Sequence, residues 1–209
     1  MTVYYTNATA ETNVVLTVSK AAASFTLTLN SSANPAVTTT SALTLTAYNA
    51  DATANTSLNG TYACTVGGAL ASPSGTAATV PSSLTFNNGV ANFNVQLYKA
   101  VAQSLSISVL GVSTTPVSIT PVTTATQPIL STVTATTGSA ITITAPGTGF
   151  TSWLAPTGTT SFTSGPTMTT STGSATSINV PTTAGSYKLY TVDQYGNPST
   201  ASTATLVAN

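Results

Sequence analysis

Ser83-Leu84-Thr85-Phe86-Asn87-Asn88-Gly89-Val90-Ala91-Asn92-Phe93-Asn94-Val95-Gln96-Leu97 spells out two strands and the turn between them. Ala91, Phe93, Val95 and Leu97 alternate with Asn92, Asn94, Gln96 and Tyr98. That period of two belongs to a strand with one face in a core and one in water. Asn88-Gly89 supplies two neighbouring residues that tolerate positive φ, which a two-residue hairpin turn demands. The stretch predicts an antiparallel hairpin, and the rest of the chain repeats its grammar.

Upstream, Phe25, Leu27 and Leu29 alternate with Thr26 and Thr28, and Leu43, Leu45 and Ala47 with Thr44, Thr46 and Tyr48. Downstream, Leu105, Ile107 and Val109 alternate with serines, and Ile141 and Ile143 with threonines. Tyr187, Leu189 and Thr191 alternate with Lys188, Tyr190 and Val192. Each run is bounded by Gly, Pro, Asn or Ser, and no segment holds a helical period. Many short strands at regular spacing predict an all-β chain of sandwiches. Three prolines between Thr114 and Pro128 mark a semi-extended connection, with Val117 and Ile119 able to form a last strand ahead of it. We therefore place one domain at residues 21–127, a second at 128–209, and a strand-like arm at 1–20. Each domain is of ordinary size.

Charge is nearly absent. The 209 residues carry Glu11, Lys20, Asp51, Lys99, Lys188 and Asp193, with no histidine or arginine and one cysteine. An ordinary domain is about 25% charged; here the figure is 3%. Without histidine there is no Ser-His-Asp or Cys-His arrangement, and one cysteine makes no zinc site. Three isolated carboxylates give no glycosidase pair. Gly147-Thr148-Gly149 lacks the third glycine and the helix of a dinucleotide loop and reads as a β-turn. Asp51 and Asp193 fall where strands end, and Asp in such turns bonds its own backbone. The chain reads as no enzyme, with no cofactor and no metal. Three scattered lysines make no footprint for nucleic acid, and no apolar run is long enough to span a membrane. Met1-Thr2-Val3-Tyr4-Tyr5 shows no signal-peptide pattern. Cys64 is expected to be a small buried hydrophobe, Trp153 and the tyrosines to fill cores and strand faces, and the lysines to be solvated.

Leu43-Thr44-Leu45-Thr46-Ala47-Tyr48-Asn49-Ala50, the start of the next strand at Leu58-Asn59-Gly60-Thr61-Tyr62, and the Asn88-Gly89 hairpin together resemble the bacterial immunoglobulin-like repeats of adhesins and the filamin-type modules. Ala184-Gly185-Ser186-Tyr187 through Asp193-Gln194-Tyr195-Gly196-Asn197 resembles the ending of such a repeat. The resemblance implies two immunoglobulin-like β-sandwich domains in tandem and leaves function open, since these modules serve as spacers, adhesins and filament parts alike. In composition the chain is also similar to the thread pili of thermoacidophilic archaea.

Thr12-Asn13-Val14-Val15-Leu16-Thr17-Val18-Ser19 has an alternating apolar face. Val14, Leu16 and Val18 are candidate donor-strand residues that could complete a neighbouring copy's sandwich; the alternative is that they form a strand of their own domain. Asn7, Asn30, Asn55 and Asn59 stand in Asn-X-Ser/Thr acceptors, so N-linked glycans are expected partners beside copies of the chain itself. The favoured reading is a subunit of an extracellular filament, assembled head to tail. A virion decoration or tail protein is the alternative.

Overall fold

The computed structural model describes residues 21–209 and two short strands ahead of them, β1 (Thr6–Asn7) and β2 (Ala10–Glu11), which pair antiparallel with each other. Val14, Leu16 and Val18 lie outside the described residues.

The first sandwich packs two antiparallel sheets. One has the order β3 (Ser24–Leu29), β4 (Thr40–Tyr48), β7 (Val90–Gln96). The other runs β10 (Val117–Ile119), β8 (Gln103–Val109), β5 (Gly60–Gly67), β6 (Ser83–Phe86), with β9 (Val112–Ser113) turning back on β8. Register follows from the apolar alternation. Leu45 of β4 stands opposite Leu27 on one side and Ala91 on the other, so all three point into the core. A slip of one residue would turn Leu43, Leu45 and Ala47 to water together, so burial fixes the pairing. Phe25 and Phe86 meet across the core with ring centroids 5.7 Å apart.

On the outer faces, neutral polar pairs occupy the places where charges ordinarily stand. The Thr44 hydroxyl donates to Asn92 Oδ1 at 2.6 Å and accepts from Asn30 Nδ2, and the Thr61 and Thr85 hydroxyls pair at 2.8 Å. The hairpin between β6 and β7 forms as its sequence requires, with Asn88 at φ 50° and Gly89 at φ 78°. Gly89 also lies against the β4–β5 connection, and a Cβ there would stand 2.2 Å from the Asn55 carbonyl oxygen.

The second sandwich divides its strands unequally. Its large sheet has the order β11 (Thr134–Ala135), β17 (Leu206–Ala208), β16 (Gly185–Asp193), β13 (Phe150–Pro156), β14 (Thr169–Thr172), and β11 runs parallel to β17. Its small sheet, among the described residues, is β12 (Ala140–Thr142) paired with β15 (Ser177–Asn179). Leu154, Leu189, Leu206 and Val180 form a core with Ile141, Ile143 and Ile178. Trp153, on the opposite face of β13 from Leu154, is covered by Phe162 of the β13–β14 connection at a centroid distance of 5.5 Å, and Phe162 also packs on Tyr190 at 5.3 Å. Gly147–Phe150 closes as a β-turn through a bond from Phe150 N to Gly147 O. Both sandwiches have the strand arrangement of immunoglobulin-like modules, so the chain is a tandem immunoglobulin-like repeat.

Candidate functional site

The most elaborate polar construction in the molecule joins the two sandwiches, and it starts from one strand end. β16 finishes at Asp193, and the chain turns through Gln194, Tyr195 and Gly196 so that Gly196 N bonds Asp193 O and Asp193 N bonds Asn197 O. The Asp193 carboxylate then gathers the turn's donors. Its Oδ1 accepts from Tyr195 N and Asn197 N, both at 2.9 Å; its Oδ2 accepts from the Thr123 hydroxyl at 3.0 Å and from Asn197 Nδ2 at 3.0 Å. Asp193 is 6% exposed. A buried carboxylate without hydrogen-bond donors is costly, and here neutral N–H and O–H groups supply them.

Asn197 carries the construction across. Its Nδ2 donates to Tyr98 O at 2.9 Å and its Oδ1 accepts from Ala100 N at 2.8 Å, both on the β7–β8 connection of the first sandwich. Tyr195 stacks on Tyr98 with centroids 4.7 Å apart, and its carbonyl accepts from Ser74 N. Gly196 is required twice. Its φ of 84° suits glycine, and a Cβ would stand 3.0 Å from Pro73 Cβ and 3.1 Å from Ser74 N. The sequence reading places Tyr98 on the outer face of its strand; β7 instead stops at Gln96, and Tyr98 leaves it to meet Tyr195.

The linker is held from both sides. Thr120 N bonds Ala33 O, and Val122 exchanges backbone bonds with Pro35 and Val37, all within the first sandwich. Thr123 bonds Asp193 and Gln127 Nε2 donates to Ala201 O in the second. Beside the joint lies a cleft of about 660 Å³, lined by Pro73, Lys99, Val101, Pro121, Val122 and Pro198 among others. No group of three metal-ligating side chains occurs among the described residues.

The structure scatters the candidate glycan acceptors. Asn30 is exposed where β3 ends, and Asn59 is exposed ahead of β5, its Oδ1 accepting from Asn88 N at 2.8 Å. Asn55 is 2% exposed, with Oδ1 accepting from Ser57 N and the Ser57 hydroxyl, which leaves a glycan no access in the folded chain. Asn7 falls in β1, where side chains are outside the description. Asp51 and Asp193 both bond their own turns, Asp51 Oδ1 accepting from Thr53 N at 3.1 Å. Cys64 is buried in β5, its thiol donating to Pro81 O, and burial pushes that thiol's pKa up. Lys188 donates to Thr203 O.

Fold and joint define a tandem immunoglobulin-like protein whose two sandwiches are bonded into one body. No protein-family model matches the chain, and no curated protein matches it. Among solved structures it is similar to a 282-residue C-terminal fragment of intimin in complex with the intimin-binding domain of its translocated receptor. That match has 12% identity and a TM-score of 0.37 over 90% of this chain and 65% of that one. The Escherichia coli adhesin FdeC matches at 16% identity and a TM-score of 0.37, again over 90% and 65%. The Yersinia pseudotuberculosis adhesin InvE matches at 15% and 0.40, over 88% and 58%. The chain thus spans less than two thirds of each of these three structures. Values this low bear on neither activity nor partner.

Proposed function

We propose that this chain is a non-catalytic structural subunit of an extracellular filament at the cell surface, joined head to tail to copies of itself by a donated strand from residues 1–20. The observation that carries the reading is the polarity of the body. The joint occupies the end of the first sandwich where β4 begins, and the chain enters that sandwich at the opposite end, where Ala23 N bonds Tyr48 O. In the second sandwich the joint occupies the end where β16 stops. Asn209 lies at the other end, accepting from Thr137 N. Residue 23 and residue 209 therefore lie at opposite ends of the two bonded sandwiches, each at the end away from the joint. A contact between unlike poles is heterologous and propagates without closing, which gives a fibre. Near-zero net charge leaves little repulsion between copies. Glycans on Asn30 and Asn59 would hydrate a surface otherwise kept wet by hydroxyls and amides.

The test is direct imaging. The purified protein is expected to form unbranched fibres under the electron microscope, and a chain lacking residues 1–20 to remain monomeric. Replacing Val14, Leu16 and Val18 together with Ser should have the same effect and leave the second sandwich folded by Trp153 fluorescence. Fibres from the truncated chain would remove the arm from the assembly mechanism.

A further inference from the structure

We infer that the free edge of β12 in the second sandwich is the acceptor for residues 13–19 of the adjoining copy, antiparallel, with Leu16 opposite Ile141; this rests on the filament reading above. The first sandwich shows what is missing. There β4 is covered on its outer edge by β3 over six residue pairs. Among the described residues its counterpart β12 pairs with β15 only. Because Val180 N bonds Ser139 O and Ile143 N bonds Thr176 O, the odd-numbered residues direct their backbone groups to β15, and Ala140, Thr142 and Thr144 direct theirs away. No backbone partner for these three occurs among the described residues. Residues 128–133, which precede β11, pass nearby without filling the edge. They send Leu130 into the core and leave Ile129 77% and Val133 55% exposed. Between them and the end of β12 runs a groove lined by Pro128, Ile129, Thr144, Ala145 and Pro146.

The occupant follows from chemistry and direction. An unpaired strand edge is satisfied by another strand's backbone. Thr12–Ser19 alternates as β3 does and carries no charge, matching an edge that carries none. Eight residues extended at about 3.3 Å each reach about 26 Å, enough to follow β12 into the groove. β12 runs from the Asn209 pole toward the joint. An arm attached to a copy stacked on that pole has its residue 20 at the pole and its earlier residues nearer the joint. It therefore runs against β12, as β3 runs against β4. Leu16 opposite Ile141 sets Val14 opposite Ile143, both facing the core, and Val15 opposite Thr142 on the outer face.

Two single substitutions in separate chains test this, Val15→Cys in one and Thr142→Cys in the other, with buried Cys64 retained and the unaltered protein as control. Mixed, allowed to assemble and oxidised, they should give a covalent heterodimer. Its yield should exceed that of Val15→Cys mixed with Thr144→Cys by about tenfold, since a two-residue offset moves the pair beyond bridging distance. Thr142→Pro removes one outward N–H and should abolish fibres while Trp153 fluorescence stays native. Fibres that form without the 15–142 cross-link and survive Thr142→Pro overturn the β12 acceptor and leave the filament reading standing. Absence of fibres from the unaltered protein overturns both. Disulfide within one chain of a Val15→Cys, Thr142→Cys double variant, with no link between the mixed single variants, places the arm on its own β12 and overturns donation.

Discussion

Two turns in this molecule share one backbone and do different work. After β4, Asn49 N bonds Thr53 O, Ala52 N bonds Asn49 O and Asn55 N bonds Ala47 O. After β16, Asp193 N bonds Asn197 O, Gly196 N bonds Asp193 O and Ser199 N bonds Thr191 O. Even the flanking bridges correspond, Tyr48 with Ala54 and Val192 with Pro198. The decoration differs at every position, and four of the differences make the joint. Where the joint has Asp193, Tyr195, Gly196 and Asn197, the other turn has Asn49, Asp51, Ala52 and Thr53. Asn49 Oδ1 is buried with no hydrogen-bond partner, whereas Asp193 has every carboxylate oxygen engaged. The backbone makes a turn; the carboxylate, the bridging amide, the stacked ring and the missing Cβ make a joint.

The comparison breaks most sharply at Asp193. Asp193→Ala strands the donors of buried Asn197 and half-buried Tyr195 and Thr123. It should cost about 2–4 kcal/mol, since bonds to a charged group are worth about 1.5–3 kcal/mol and their donors are then left unmet. Urea titration followed by Trp153 fluorescence reads it. The two positive-φ positions should respond with opposite signs. Gly196→Ala adds left-handed strain of about 1–2 kcal/mol and pushes Pro73 away. Ala52→Gly, at φ 61°, relieves such strain and should raise stability by up to about 1 kcal/mol. Thermal melts of the two variants check the signs. Tyr98→Leu removes the ring stack, worth about 0.5–1.5 kcal/mol. Small-angle scattering should show a broader distribution of sandwich orientations.

The smallest effect concerns pH. Burial raises the Cys64 thiol above its ordinary value of 9.0, so the unfolded chain releases this proton first. The group's contribution is whole below about pH 9 and falls as pH rises through the folded-state value. Cys64→Ser should flatten the alkaline limb of a melting-temperature profile.

The hairpin at Asn88-Gly89 and the alternation through β3, β4 and β8 were legible because turn chemistry and burial act within a few residues. The β-turn at Gly147 and the self-bonding of Asp51 and Asp193 were legible for the same reason. The joint was not: Tyr98 and Tyr195 are distant in sequence, and a strand-face tyrosine reads the same whether water or another ring lies over it. The one signal was Asp193 itself, an acid in a chain almost without acids, followed by Gly196-Asn197-Pro198. The β12 edge that has no strand partner among the described residues was equally hidden, since Ile141 and Ile143 report which face is buried and say nothing of which edges are paired. Buried Asn55 lies with its carbonyl against Gly89, a contact across two connections that local sequence does not report.

The parallel pairing of β11 with β17 has a mechanical meaning. The chain comes to β11 from the joint and leaves β17 at the far pole, and Thr134 and Ala135 stand beside Val207 and Ala208. Tension applied between the linker and residue 209 would pull the two strands past each other in opposite directions. Their cross-strand bonds are then loaded together in shear, whereas a hairpin pulled from its open end unzips one bond at a time. Strand direction alone thus makes the second sandwich resist a pull between its two chain ends.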